Sequence, residues 1–505
     1  RLPCCPEQRL PSWVVADREK EPSCRDGGGV MDLDELDELD PVEEVDLSTQ
    51  EREYGIVING ATGYTGCLMV EHLDGILSQE GAKPMKWALA GRDLTKLRRM
   101  ARKCKTAPAV LLAREPSQLA NVTGQARVLV NCAGPYLLCG EDVVLQCVNQ
   151  VTHYIDVSGE VVFIAKMIQK YHEKAKQRGV MIVHCSGAVC APDELICYSL
   201  AKRLGPMKQF REYFLQYGSM SGGTFNTNIA TMEHLTQEDF DTMNDPFCLG
   251  GNRAGCVREV DEDCKKVVAD PIYPSVFLMP AYNEKSGQRI IRRSCELFED
   301  RPDLGVAYGE EFVCTIRDCH MSQKAAEQGL MQVGPVPSLE AAKQAAAHMK
   351  STLGAGQNPN AGEGAPASTR SIYSSEVFGV AESESGEWAY GHYTSGDAYE
   401  VTAMACIAGA MVMVEELDRV KPKERGGVIT PAYAFHGSTW IERMTSIPFA
   451  CNKDSCKITF EVKDGKPDED TIVSAVKAKT KKIAQGQSQI MKGQLKAWSQ
   501  SALTM

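Results

Sequence analysis

A chain of 505 residues is long enough for two or three domains and a sizeable core. Its formal net charge of −12 argues against a nucleic-acid binder, which needs a basic surface. The longest apolar run falls short of the ~18 residues a membrane-spanning helix requires. The twenty cysteines are scattered without a Cys-x-x-Cys pair, so they read as reduced thiols of a cytosolic or organellar protein. Cys185/Cys190 and Cys314/Cys319 are spaced too loosely for zinc, and no metal site is expected.

Residues 1–50 show neither helical nor strand periodicity and are expected to form a disordered acidic segment. Met31, directly ahead of the acidic run 32–40, is expected to be the natural start, with a processed precursor as the competing explanation. The run reads as a solvated arm; its alternative is a short partner-binding helix using Leu33, Leu36 and Leu39.

From Tyr54 the pattern changes. Tyr54-Gly55-Ile56-Val57-Ile58-Asn59 is an apolar strand, and Gly60-Ala61-Thr62-Gly63-Tyr64-Thr65-Gly66 follows it and opens a helix. Dinucleotide phosphates need backbone N–H groups at a helix N-terminus, and glycines let the chain turn tightly and approach the pyrophosphate. A plain strand–helix turn is the alternative. The next strand, Lys86–Ala90, ends in Gly91-Arg92-Asp93. An acid at this point reads the free ribose hydroxyls of NAD, whereas an arginine accepts a 2′-phosphate, so Arg92 directs the expectation to NADP(H). Further strands at 109–112, 127–130, 154–157 and 180–183 alternate with helices at Leu94–Cys104, Asp142–Gln150 and Val161–Arg178. Short, nearly all-apolar strands of this kind belong in a parallel sheet covered on both faces, so residues 51–203 are expected to form a doubly wound Rossmann domain.

Within it, Asn131, Gly134 and Pro135 follow the fourth strand, where backbone borders the nicotinamide side of the cleft; an ordinary strand-to-helix turn explains them equally well. Asp156, Ser158 and Glu160 follow the fifth, at the carboxyl edge where ligands bind in open α/β sheets. Either acid orients a substrate or relays a proton, or else caps the Val161–Arg178 helix, the role favoured for Glu160. Tyr136 and Tyr154 are candidate proton donors, with packing as the alternative. His153 and His184 sit inside strand-like runs and read as structural, and Cys190 has no base nearby in sequence to make it a nucleophile.

Residues 204–395 have a different texture and are expected to form an α+β domain for substrate and association. Phe210–Tyr217, Glu311–Ile316 and Ser374–Val380 read as antiparallel strands, Leu339–Thr352 as a helix capped by Ser338, and Gly354–Ser368 as a flexible loop. Ser221-Gly222-Gly223-Thr224 offers either free N–H donors for an anionic or carbonyl group, or a plain helix cap. Ala403–Val414 is too short for a membrane helix and reads as buried. The tail, 451–505, carries Lys477, Lys479, Lys481, Lys482, Lys492 and Lys496; it is a solvated helix or a contact for anionic lipid or an acidic partner.

On these residues the chain resembles the saccharopine dehydrogenase-like oxidoreductases, including the related trans-acting enoyl reductases. The resemblance runs from about Tyr54 to about Met444. Its anchors are Gly60–Gly66, Ala90–Asp93, Asn131-Cys132-Ala133-Gly134-Pro135-Tyr136, Tyr154–Glu160, Ser221–Thr224, Gly396-Asp397-Ala398-Tyr399 and Gly426–Ala432. It implies a Rossmann domain, a second α+β domain, and a helical region, 396–450, that returns to the first. It also implies an NADP(H)-dependent oxidoreductase acting on a carbonyl, imine or enoyl group of a small lipid-like or amino-acid-like substrate. A homodimer or a place in a larger complex, and contact with a membrane or lipid surface, are further implications, and the lipid-associated branch matches better than the lysine-pathway enzyme. The chain departs from the family at Val189-Cys190, where an aspartate–serine pair is usual. That departure supports a second expectation: a catalytically degenerate NADP(H)-binding subunit with a structural or assembly role.

Overall fold

The computed structural model describes residues 51–252, 255–353 and 359–502, excepting the side chains of 332–333 and 487–502. The expectations for residues 1–50, and Gly354–Asn358 of the expected loop, lie outside the described residues.

The first half alternates strictly. It runs β1 (Tyr54–Asn59), α1 (Tyr64–Leu77), β2 (Trp87–Gly91), α2 (Leu94–Ala101), β3 (Ala109–Leu112), α3 (Pro116–Gly124) and β4 (Ala126–Asn131). Then come α4 (Tyr136–Asn149), β5 (His153–Asp156), α5 (Val161–Gln177), β6 (Met181–Val183) and α6 (Ala191–Leu204). The strands pair in parallel in the order β3-β2-β1-β4-β5-β6, with Gly427–Ile429 from far along the chain as a seventh strand beside β6. This is a Rossmann-type doubly wound sheet. Ile56, Val57 and Ile58 are all fully buried, which is why β1 reads as an unbroken apolar run: both its faces are covered. The chain reverses its strand order between β1 and β4, and ligands bind such sheets at the carboxyl edge of that switch point.

The second half supplies β7 (Met207–Tyr217), α7 (Gly222–His234), α8 (Gln237–Asn244), β8 (Val268–Ala269), β9 (Phe277–Pro280), α9 (Glu284–Glu299) and β10 (Val313–His320). It continues with α10 (Gln323–Val333), α11 (Leu339–Ser351), α12 (Ala367–Arg370), β11 (Ser374–Ser383), β12 (Trp388–Ser395), α13 (Ala398–Glu415), the returning strand β13 (Gly427–Ile429) and β14 (Thr459–Asp464). Its sheet has the order β14-β12-β11-β7-β10-β9-β8 and forms a second, α+β layer. The expectation of antiparallel strands is corrected at the centre: β7 and β10 pair in parallel, because the chain leaves β7 through helices and re-enters the sheet from the same end.

α13 packs against α1, β1, β4 and β5 of the first sheet. The sequence reading stopped at twelve apolar residues; the helix spans Ala398–Glu415 and is by length and composition long enough to cross a membrane. Every residue from Val401 to Met413 is buried inside the protein, so its apolar surface forms core. One continuous cluster, including Ile58, Val130, Leu195, Phe210, Ile316 and Met404, joins the interiors of both sheets. The lysine-bearing tail is also corrected in its first turns. Ile472 and Val476 are buried with Tyr213 and Phe378, and the Lys479 and Lys482 ammonium groups donate to Asp318 and Ser374 on the second sheet.

Candidate functional site

The glycine loop sits at the carboxyl end of β1, and each glycine answers a different steric demand. Gly60 has φ +80, and a β-carbon there would lie 2.7 Å from the Ala133 backbone nitrogen. At Gly66 a β-carbon would lie 2.3 Å from the Gly60 carbonyl oxygen, so helix and turn close on one another only without it. Gly63 differs: it is the N-cap of α1 at φ −74, and its β-carbon would meet only the Gly60 oxygen, at 3.3 Å. Any residue adopts that φ, so the missing Gly63 side chain serves to keep open the space ahead of the helix. Helix geometry leaves the N–H groups of Tyr64, Thr65 and Gly66 without intrahelical acceptors, and the first turn carries no acid. The result is an electropositive helix end suited to a phosphate. Ala61 is buried in the core, while Thr62 and Thr65 remain half-buried at the loop.

Arg92 leaves the end of β2 as an exposed side chain whose guanidinium has no carboxylate partner among the described residues. Asp93 beside it does not compete for the ribose. Its carboxylate accepts the Lys96 N–H (3.0 Å) and caps α2, which holds it below the usual carboxylate range. Arg114, which sequence reasoning missed, reaches across from the end of β3 and donates to the Arg92 carbonyl oxygen (3.1 Å).

The expected proton-handling residues are brought together but turned inward. The Asn131 amide accepts from Asn59 (3.0 Å) and from the Ala133 N–H (3.2 Å), and donates to the Tyr154 hydroxyl (3.1 Å). Tyr154 donates to Asp156 (2.8 Å), whose carboxylate also accepts from His184 Nδ1 (2.8 Å) and from the Ser158 hydroxyl (2.8 Å). Asn131, Asp156 and His184 are fully buried. Tyr136 donates to the Asn131 carbonyl (2.9 Å), and burial pushes its phenol well above its ordinary range. The side chains of Asn131, of the segment expected beside the nicotinamide, and of Asp156 and Tyr136, expected as catalytic groups, all have hydrogen-bond partners within the protein. Each is engaged in a closed network that shapes the β4 and β5 edges.

Glu160 does cap a helix, but not the one expected. It sits at the N-cap of α5 without capping it, and its carboxylate instead accepts the Tyr136 (2.8 Å) and Leu137 (2.9 Å) N–H groups at the start of α4. Burial pushes its pKa up to about 7. Pro135 is the N-cap residue of α4, and Gly134 lies where a β-carbon would stand 3.5 Å from the Thr227 hydroxyl of α7.

α7 thus roofs the β4 loop. The Ser221–Thr224 donors expected to meet an anion are taken: Ser221 N–H by the Tyr399 hydroxyl (2.6 Å), Gly222 N–H by the Glu363 carbonyl (2.9 Å), and Thr224 N–H by the Ser221 side chain (3.3 Å). The helix-cap alternative is the one observed. The segment around Gly364 lies on the glycine loop, where the Tyr64 hydroxyl donates to the Ala365 carbonyl (2.7 Å) and the Tyr64 ring meets Tyr399 edge-on at 5.2 Å. Tyr282, just ahead of α9, was missed by the sequence reading. It keeps 43% of its surface exposed, and desolvation pushes its phenol up to about 12. Ser286 in the first turn of α9 lies 3.9 Å from where a Gly159 β-carbon would be. No periodicity marks Tyr282, so no signal in the sequence singled it out. Cys190 is fully buried, and its neighbour Cys185, also buried, has its thiol pushed up by Cys190 and by desolvation.

Comparison with known proteins agrees with this geometry. The family model "Saccharopine dehydrogenase NADP binding domain" matches residues 56–183, the span from β1 to β6. A saccharopine dehydrogenase-like oxidoreductase of Bos taurus is 34% identical over 178 residues, 32% of this chain and 41% of its own length. A lipid droplet localized protein of Caenorhabditis elegans is 34% identical over 183 residues, 34% of this chain and 42% of its own. A Mycobacterium tuberculosis protein named after the trans-acting enoyl reductases is 26% identical over 431 residues, 79% of this chain and 97% of its own. The matched stretch thus spans less than half the length of the first two relatives. With a glycine loop at the switch point of a seven-stranded parallel sheet, residues 56–183 match the saccharopine dehydrogenase NADP binding domain, a domain that binds a nicotinamide dinucleotide, and the chain is similar to saccharopine dehydrogenase-like oxidoreductases and trans-acting enoyl reductases.

Proposed function

We propose that this protein is an NADP(H)-dependent oxidoreductase acting on a carbonyl, imine or enoyl group of a lipid-like or amino-acid-like molecule. One observation carries the reading. The helix end beyond β1 presents uncapped N–H groups, and the adjacent edge of β2 ends in an arginine without a carboxylate partner, its neighbouring acid being held away as a helix cap. Gly60–Gly66 would hold the pyrophosphate, Arg92 the 2′-phosphate, and the backbone of Gly134 and Pro135 would border the nicotinamide. When bound, that group supplies or accepts the hydride. The chain's own part is to position and to manage a proton. Asn131, Tyr136, Asp156 and Glu160 fix the loops, while the exposed Tyr282 hydroxyl would supply a proton to a substrate oxygen or nitrogen.

The name of the Caenorhabditis elegans relative favours a lipid-like substrate and a lipid-surface setting. A homodimer or a place in a larger complex remains part of the same proposal. The second reading, a cofactor-binding subunit without turnover, is favoured by Val189-Cys190: the pair replaces the usual aspartate–serine, and the Cys190 thiol is fully buried. NADPH oxidation assayed against a panel of carbonyl, enoyl and imine compounds tests the two. Turnover with any of them supports the enzyme; tight NADPH binding with no turnover across the panel supports the subunit.

A further inference from the structure

We infer that Arg114 is a second specificity-determining residue for the cofactor's 2′-phosphate, acting with Arg92. This rests on the proposed NADP(H) reading and deepens it. β2 and β3 are parallel neighbours in register Gly91↔Leu112, and the Ala113 N–H donates to the Gly91 carbonyl (2.9 Å), so Arg92 and Arg114 leave the sheet at the same edge. Arg114 is not a loose surface side chain. Its backbone N–H donates to Gln118 Oε1 (3.0 Å) within the capping box that starts α3, and one arm of its guanidinium is tied to the Arg92 carbonyl (3.1 Å). That tether fixes the turn from which the Arg92 side chain springs.

The remaining N–H groups of the Arg114 fork make no hydrogen bond among the described residues, and Asp93, whose carboxylate feels the Arg114 charge, is engaged in capping α2. The Arg92 charge is felt by the Cys139 thiol of α4. Both arginines belong to the carboxyl edge of β2 and β3, held together by the Arg114 bond to the Arg92 carbonyl. A planar fork with free N–H groups pairs with a phosphate dianion by charge-assisted bonds, which a neutral ribose hydroxyl pair cannot match. Two like charges at one edge repel each other, and a bound dianion relieves that repulsion.

The test is calorimetric titration of the full chain with NADP+, NAD+ and 2′,5′-ADP, which needs no turnover. Arg114→Ala is expected to weaken NADP+ and 2′,5′-ADP by about tenfold or more while changing NAD+ by less than about twofold. Arg114→Lys should recover part of the loss, because it restores charge without the fork. Equal affinity of the unmodified chain for NADP+ and NAD+ would overturn the NADP(H) reading and this inference with it. A preference abolished by Arg92→Ala but untouched by Arg114→Ala would overturn this inference alone. A parallel loss of NADP+ and NAD+ binding in Arg114→Ala would also overturn it, since that pattern marks a structural role.

Discussion

Gly66 and Gly63 lie three residues apart in one loop, yet the structure assigns their missing side chains to different jobs. A β-carbon at Gly66 would stand 2.3 Å from the Gly60 carbonyl oxygen and 2.9 Å from Ala61 backbone atoms, against a contact limit near 3.4 Å. Backbone on both sides has to move by about 1 Å, an overpacking cost of about 1–3 kcal/mol or more. Better helix propensity in alanine offsets at most about 1 kcal/mol of it. A β-carbon at Gly63 meets only one atom, at 3.3 Å, and φ is −74, so the fold accommodates it at little cost. Its methyl nevertheless enters the space in which the pyrophosphate would approach the N–H groups of α1. Gly66→Ala should therefore lower stability by about 2 kcal/mol in denaturant unfolding. Gly63→Ala should leave stability within about 0.5 kcal/mol and still weaken dinucleotide binding, and Gly63→Val should abolish it. Unfolding curves and calorimetry on the same preparations separate the two effects. A Gly63→Val protein of normal stability that binds NADPH undiminished would refute the placement of the cofactor at this loop.

Further outcomes follow from the buried polar groups. Glu194 is fully buried, accepts from Ser294 (2.8 Å) and Ala432 (3.0 Å), and has its pKa raised by burial from 4.5 to about 7. The folded state therefore holds its proton more tightly than the unfolded chain. The associated stability is complete below pH 4.5 and is lost as pH rises through about 7, a change of about 3 kcal/mol. Unfolding free energy should fall between pH 5 and 8, and Glu194→Gln should flatten the slope; an unchanged slope would contradict the assignment. Asn131→Ala strips acceptors from the Asn59 amide and the Ala133 N–H in the core and should cost about 3 kcal/mol. A loss of cofactor affinity without loss of stability would return Asn131 to the role of direct ligand. Tyr282→Phe should leave NADPH affinity unchanged and reduce turnover by about 100-fold on any substrate the unmodified chain accepts. Undiminished turnover would remove it from the chemistry.

The parallel sheet was legible because its signals are local: buried strands read as continuous apolar runs, and the glycines after β1 answer contacts with their own turn. The arginine at the end of β2 was legible for the same reason. The roles of the polar residues were not. Glu160 was expected to cap its own helix, but the side chain reaches the N-terminus of α4, twenty-four residues back in the chain, where two N–H groups have no closer acceptor. Asp156, Asn131 and Tyr136 carry the residue types of catalysis, yet their partners, Tyr154, His184 and Asn59, meet them only when β1, β4, β5 and β6 align. Arg114 was missed for the converse reason: it gains its meaning from a neighbour in space, the end of β2. The mixed second sheet hid its parallel pair because strand direction depends on the length and route of the intervening chain.

The measurement that bears most directly on the central claim is the affinity of the unmodified chain for NADPH and NADH, measured side by side by calorimetry and repeated with Arg92→Ala. The account predicts tighter binding of NADPH by at least about tenfold, and a preference that nearly vanishes in the variant while NADH affinity and unfolding temperature hold. Equal affinities in the unmodified chain, or a preference that survives Arg92→Ala intact, would contradict it.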